Sequence, residues 1–288
     1  MRISSNKYAD VINFFRSELK DLYEKGEIET FIVFCFEEFL NVKKSELLLR
    51  SSVTMSESEM LRFTSVIKEL KTHKPIQYIL GKADFCGMKF KVNENVLIPR
   101  PETEELVEHI RSELRGEKFE VIDIGTGSGC IAIALKKIFP QANVSALDVS
   151  EKALELAKQN ADLNKTEINF FQADILQPIN QLTNQLLDLI VSNPPYIKLS
   201  EKKTMNKNVS TFEPHIALFV EDEDALIFYK AISDFALKHL TKNGKLFFEI
   251  NESHGKEVQE LLKQKGFKNI EIKKDLSGKD RMMVANRV

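Results

Sequence analysis

The chain has 288 residues, 43% of them hydrophobic, which is enough for a sizeable core in two domains or in one large domain with an appendage. Charged residues make up 29%, yet the net charge is only −2, so no global field recruits nucleic acid or an acidic membrane surface. The three cysteines, Cys35, Cys86 and Cys130, are odd in number and scattered; they give neither a disulfide framework nor a zinc knuckle and suit a reduced, cytoplasmic setting.

Met1 to Lys7 lacks the apolar stretch of a signal peptide. Phe31 to Phe36, the most apolar early run, is far too short to span a bilayer. Residues 1–74 predict a helical-bundle domain. Val11, Ile12, Phe15, Leu19 and Leu22 recur at helical spacing, and Gly26 punctuates. A second helix carries Phe31, Ile32, Phe34, Cys35, Phe36, Phe39 and Leu40, and a short third contains Leu47, Leu48 and Leu49. Ser56 opens a fourth, with Glu59 three residues later as a capping-box partner. The phenylalanine stripe belongs in a core, because helices of a small bundle must bury such faces. Twelve Lys/Arg balance twelve Asp/Glu in this segment, unlike the basic patch of a DNA-reading module.

Lys74-Pro75 breaks the helical pattern. Residues 75–99 predict a β-hairpin linker made of short β runs: Met88–Val92 alternates, Asn93-Glu94-Asn95 turns, and Val96-Leu97-Ile98 returns. Residues 100–288 form the third segment. Arg100-Pro101-Glu102 opens a helix whose first turn holds acids, as the helix dipole favours. Strands are expected at 120–124, 143–148, 168–172, 186–192, 245–250, 269–273 and 281–285, the last two too close together for a helix and therefore antiparallel. Helices fall near 129–138, 150–163, 222–240 and 254–265. This βαβ rhythm predicts an α/β fold with a mostly parallel seven-stranded sheet covered on both faces.

Two stretches carry chemistry. Asp123-Ile124-Gly125-Thr126-Gly127-Ser128-Gly129 links a strand to a helix, with glycines at every second position where a ligand can approach the backbone N–H groups. Asp148 ends the next strand, placed to accept both hydroxyls of a ribose. The Gly-x-Gly-x-Gly spacing differs from the pyrophosphate fingerprint of dinucleotide folds. Asp123 would repel a pyrophosphate but pair with an ammonium, so the combination predicts S-adenosylmethionine (SAM). Asp174 is placed to accept from the adenine amine, with Ile175 against the ring; an ordinary turn role for Asp174 and a capping role for Asp123 compete with this reading. Asn193-Pro194-Pro195-Tyr196 follows a buried strand, which its prolines stop, and presents Asn193 and Tyr196 at the carboxyl end. The Asn193 side-chain oxygen and the Pro194 carbonyl can accept the two N–H bonds of a planar NH₂ group, and Tyr196 can stack on it. Such a turn suits methyl transfer to an adenine amine or to a glutamine amide.

These residues resemble the PrmC (HemK) family of class I SAM-dependent methyltransferases, whose fold is Rossmann-like. The resemblance extends through Pro75-Ile76-Gln77-Tyr78-Ile79-Leu80-Gly81, Leu97 to Glu104, Phe212 to Leu218 and Lys274 to Arg281, and covers nearly the whole chain. It implies methylation of the glutamine in the Gly-Gly-Gln loop of class I peptide chain release factors. It also implies a substrate-recognition role for the helical domain, a cofactor site at Gly125–Gly129, Asp148, Ile175 and Asn193, and a glutamine site at Asn193–Tyr196. Arg100 and Glu102 stand either at the substrate entrance or as caps of the following helix. The alternative acceptor is an adenine amine in DNA or RNA; the neutral helical segment disfavours it, because phosphate contacts need Lys and Arg. No metal site, no membrane association and no direct nucleic-acid binding is expected.

Overall fold

The computed structural model describes residues 5–116, 118–179, 181 and 186–288. They fall into two compact units: one runs to Gly81 and takes in Lys207–Phe212, the other comprises Lys82–Asn206 and Glu213–Val288. Among the described residues no helix is long and apolar enough to cross a membrane.

The first unit holds α1 (Tyr8–Leu19), α2 (Lys25–Leu40), α3 (Lys44–Leu47), α4 (Glu57–Leu70) and α5 (Ile76–Leu80). Phe15, Phe36 and Phe63 are fully buried, and Phe63 meets Phe15 edge-on at 6.1 Å between ring centroids. The phenylalanine stripe is therefore core. The fourth helix begins as its sequence requires: Ser56 Oγ accepts from the Glu59 N–H at 3.2 Å, and Glu59 Oε2 accepts from the Ser56 N–H at 2.7 Å. Gly26 does not break the chain but sits in the first turn of α2. Leu48 and Leu49, expected in the third helix, lie beyond it and are exposed. Residues 76–80, expected as part of a β run, are helical, closed by Gly81 in the left-handed region (φ 69°).

The second unit opens with a hairpin of β1 (Lys82–Phe85) and β2 (Met88–Lys91), paired antiparallel around Cys86-Gly87. Both turn residues have positive φ, 48° and 71°, as a tight primed hairpin turn demands. The partner of Met88–Lys91 thus precedes it. The return strand expected at Val96–Ile98 does not form; Val96 and Ile98 instead bury their side chains in the coil leading to α6 (Pro101–Glu113). A sheet follows, built from β3 (Glu120–Ile124), α7 (Cys130–Ile138), β4 (Asn143–Asp148), α8 (Glu151–Leu163), β5 (Asn169–Gln172) and β6 (Leu187–Ser192). A small parallel pair, β7 (Ile197–Lys198) and β8 (Phe219–Val220), flanks α9 (Lys207–Phe212), the segment that groups with the helical unit. Then come α10 (Ile227–His239), β9 (Leu240–Glu249), α11 (Gly255–Gln264), β10 (Lys268–Lys274) and β11 (Asp280–Asn286).

The seven strands lie in the order β10-β11-β9-β6-β3-β4-β5, with β11 antiparallel to both its neighbours, β10 and β9, and the other pairings parallel. This is the α/β sheet expected. Two apolar clusters complete it, one drawing on α6 and α7, the other on α10 and α11. The helix expected from residue 222 starts at Ile227, because Asp222–Asp224 forms a separate 3₁₀ turn. The strand expected from Lys245 starts at Leu240: Thr241-Lys242-Asn243-Gly244 has a turn composition but continues the strand, with Asn243 at φ 68°.

Candidate active site

Strand register assembles the site. Ile124 aligns with Leu147 on one side and with Ser192 on the other, Asp148 with Gln172, and Ser192 with Phe248. Gly125, Asp148, Asp174, Asn193 and Glu249 therefore share one rim, at or just beyond the strands' carboxyl ends. Chain order reverses at β3, the point where open α/β sheets bind ligands. The Ser192 hydroxyl donates to the Ile124 carbonyl at 2.7 Å and locks the two central strands together at this end.

One cavity runs along the rim. It is lined by Gly125, Thr126, Gly127 and Ser128 of the loop, and by Asp148, Asp174, Ile175, Asn193, Pro194 and Pro195. Sequence reading had marked all ten. Thr103, Val149, Phe228 and Ile232 also line it and were not marked. The loop glycines 125, 127 and 129 all have positive φ (75°, 53° and 82°). Gly129 stands outside the lining and has a different task. A Cβ there would meet the Ala157 Cβ and Ile133 Cδ1 at 3.2 Å, so glycine lets α8 approach the start of α7. Asn160 of α8 braces the same region: its Nδ2 donates to the carbonyls of Ser128 (2.9 Å) and Lys91 (3.0 Å), and its Oδ1 accepts from the Lys91 N–H at 2.7 Å.

The acids occupy distinct settings. Asp148 Oδ2 accepts from the Gly127 N–H at 2.8 Å and Oδ1 from the Ser150 N–H at 2.9 Å; burial raises its pKa against the pull of these donors. Asp123 is fully buried beneath the loop and does not line the cavity. The Thr126 hydroxyl donates to its Oδ2 at 2.6 Å, while Oδ1 is buried without a hydrogen-bond partner. The Ala132 N–H lends it some electrostatic relief but makes no hydrogen bond of good geometry. Burial pushes the Asp123 carboxyl up to about 7. Asp174 both lines the cavity and caps its own turn, accepting from the Leu176 N–H at 2.9 Å.

Behind the cavity lies a buried polar cluster. Tyr196 is not among the lining residues; its hydroxyl donates to Glu249 Oε1 at 3.1 Å, and burial beside that acid holds it protonated. Thr103 donates to Glu249 Oε2 at 2.6 Å and accepts from Asn193 Nδ2 at 3.3 Å. Arg100 lines the cavity and bonds Glu213 Oε1 at 2.5 Å; it makes no side-chain cap to α6. Glu213 is buried, which raises its carboxyl pKa despite the guanidinium. Glu249 and Glu213 escaped sequence reading because their partners lie 146 and 113 residues away in the chain.

The fold and the rim together define a class I SAM-dependent methyltransferase. Its residues fit the cofactor: a buried carboxyl with an unpartnered oxygen under the glycine loop for the ammonium, a rim carboxylate for the ribose, and Ile175 and Phe228 as apolar walls. The methyltransferase small domain matches residues 101–212, and the PrmC N-terminal domain matches residues 10–81. The release factor glutamine methyltransferase of Flavobacterium psychrophilum is 48% identical over 276 residues, which cover 94% of this chain and 96% of that protein. Its counterpart in Bacteroides thetaiotaomicron is 38% identical over 95% of this chain and 98% of its own length. The chain belongs to the release factor glutamine methyltransferase family. Solved structures share its fold at low identity. A methyltransferase from Pyrococcus furiosus aligns with a TM-score of 0.53 at 17% identity, covering 81% of this chain and 99% of that one. A T. thermophilus 16S rRNA methyltransferase, solved with AdoMet and guanosine, aligns at 0.51 and 17%, covering 72% and 50%.

Proposed function

We propose that this protein methylates the side-chain amide nitrogen of the glutamine in the Gly-Gly-Gln loop of class I peptide chain release factors, in the cytoplasm. The observation that carries the reading is that Asn193-Pro194-Pro195 lines the same cavity as the glycine loop and Asp148. Bound SAM supplies an electrophilic methyl group. This chain's residues must present to it a nitrogen whose lone pair is delocalised. The Asn193 oxygen and the Pro194 carbonyl accept the two amide N–H bonds, orient the lone pair and stabilise positive charge developing on nitrogen. No strong base is required, since the product loses its proton to water. The helical segment, with charges in balance, serves as the substrate-recognition domain, and residues 75–99 link it to the catalytic segment.

The acceptor is tested with labelled SAM and three substrates offered separately: a class I release factor, the same factor with its loop Gln changed to Ala, and duplex DNA. Label only on the unaltered factor is expected. Label on DNA, or equal label on the altered factor, would overturn the reading.

Asp123 gives a pH prediction. Its folded pKa of about 7 lies well above the ordinary 3.8. The stability it contributes is complete below the lower value and is lost as pH rises through the upper one. An ammonium brought beside it favours the carboxylate. SAM binding at about pH 6.5 should therefore release a proton, read by calorimetry as unequal binding enthalpies in two buffers of different ionisation enthalpy. Asp123→Asn should remove the difference. Equal enthalpies for the unaltered protein would move the ammonium away from Asp123.

A further inference from the structure

Glu249 is a buried acid beside the acceptor turn, only 2% exposed, with no part in the chemistry just described. In its ionised form it has no hydrogen to give, so the hydroxyls of Thr103 (2.6 Å) and Tyr196 (3.1 Å) both donate to it. Thr103 has a single hydroxyl hydrogen, and Glu249 takes it. Towards Asn193, Thr103 therefore offers lone pairs alone. The Asn193 atom facing it at 3.3 Å has to be Nδ2, and the amide oxygen is turned away from it.

This matters because an asparagine amide is nearly symmetric in shape. The flipped amide would fill the same space, but it would set two oxygen lone pairs against each other at Thr103 and offer an NH₂ to an incoming NH₂. Packing cannot discriminate between the two orientations; the proton inventory can. Burial raises the Glu249 carboxyl above its ordinary range, and the two hydroxyls that donate to it are the main groups holding the ionised form against that. The Arg281 guanidinium acts favourably on Glu249 and is itself held by Asp275 at 3.3 Å; Glu102 opposes. The buried Tyr229 hydroxyl donates to the Glu249 main-chain carbonyl at 3.1 Å and fixes the strand end.

We propose that Glu249, acting through Thr103, is a positioning residue that sets the amide of Asn193 so that its oxygen meets the acceptor NH₂. The proposal rests on the methyl-transfer reading of the site. It explains why a buried carboxylate ends β9 next to the turn, and it makes the hydroxyl of Thr103, more than its volume, the property that counts.

The test compares Thr103→Val, Thr103→Ser and Glu249→Gln with the unaltered full-length protein, measuring single-turnover methyl transfer to release factor and to duplex DNA, SAM affinity by calorimetry, and Tm. Thr103→Val keeps the shape and loses the acceptor atom. It should slow transfer about 100-fold, the scale of a small misplacement of a reacting group, while SAM affinity moves by less than about threefold. Thr103→Ser should recover most of the loss. Glu249→Gln should be slow as well, because its amide can donate to Thr103 and release the Thr103 hydrogen to the Asn193 oxygen, the flipped arrangement. Transfer by Thr103→Val within about threefold of the unaltered protein would overturn the proposal, as would a Thr103→Ser variant equally impaired. Label appearing on DNA alone would overturn the acceptor reading instead. The Thr103 comparison would then be decided on DNA, since either acceptor presents a planar NH₂.

Discussion

Asn193→Ala is expected to lower methyl transfer about a thousandfold, some 4 kcal/mol of transition-state stabilisation, in a protein that stays folded. Two losses combine. The side-chain oxygen that accepts one amide N–H disappears, and the remaining carbonyl of Pro194 cannot by itself fix the rotation of the acceptor about its C–N bond. The lone pair then samples directions away from the methyl carbon. The ground state is affected less, because Asn193 is one of many residues lining the cavity and is half-buried. SAM affinity measured by calorimetry should therefore change by only a few-fold. Turnover surviving within a few-fold would mean that Asn193 does not orient the nucleophile.

Asp148→Ala should act on the other substrate. A carboxylate at the rim of β4 can accept two ribose hydroxyls, and hydrogen bonds to a charged group contribute about 1.5–3 kcal/mol each. Part of that is offset, since Asp148 already accepts from Gly127 and Ser150 and must share or release those N–H donors. The net expectation is a loss of SAM affinity of about 100-fold or more, about 2.7 kcal/mol. Asp148→Asn, which keeps one acceptor oxygen, should fall between. An unchanged affinity for Asp148→Ala would remove this residue from the ribose site. The two variants divide the reaction: one should fail mainly in the chemical step, the other mainly in binding the donor.

How much of this was legible in sequence varies with the distance over which each feature is decided. The central strands of the sheet were readable because a strand buried on both faces is a short apolar run, as Leu187–Ser192 shows, and β10 because Ile270 and Ile272 alternate with polar residues. The glycine loop and Asp148 were readable because the βαβ unit confines them to about 25 residues. The hairpin was misaligned because Val96-Leu97-Ile98 has a strand's composition, whereas the real turn, Cys86-Gly87, lacks the usual Asn or Asp ahead of its glycine. Tyr196 was expected against the acceptor; its hydroxyl is instead held by Glu249. That acid reaches the turn only because β9 lies beside β6, a fact of sheet order that no local pattern encodes. The same holds for Arg100 and Glu213, which are brought together across 113 residues of sequence.

The two outer strands of the sheet limit how a protein substrate can be captured. The edge strand β5 has only four residues, and at the opposite edge β10 carries Lys268, Lys273 and Lys274. Short strands and lysines are the usual defences against the docking of a further strand. Capture by β-augmentation, in which a partner's extended segment is recognised through its main chain, is therefore disfavoured at both edges. What remains is end-on delivery. The proposed function suits this: a partner offers one side chain from the tip of a protruding loop to the cavity that Asn193 and Pro194 line. A methylated residue should accordingly sit at an exposed apex of its own fold, where its backbone is already paired or solvated and no strand has to be given up.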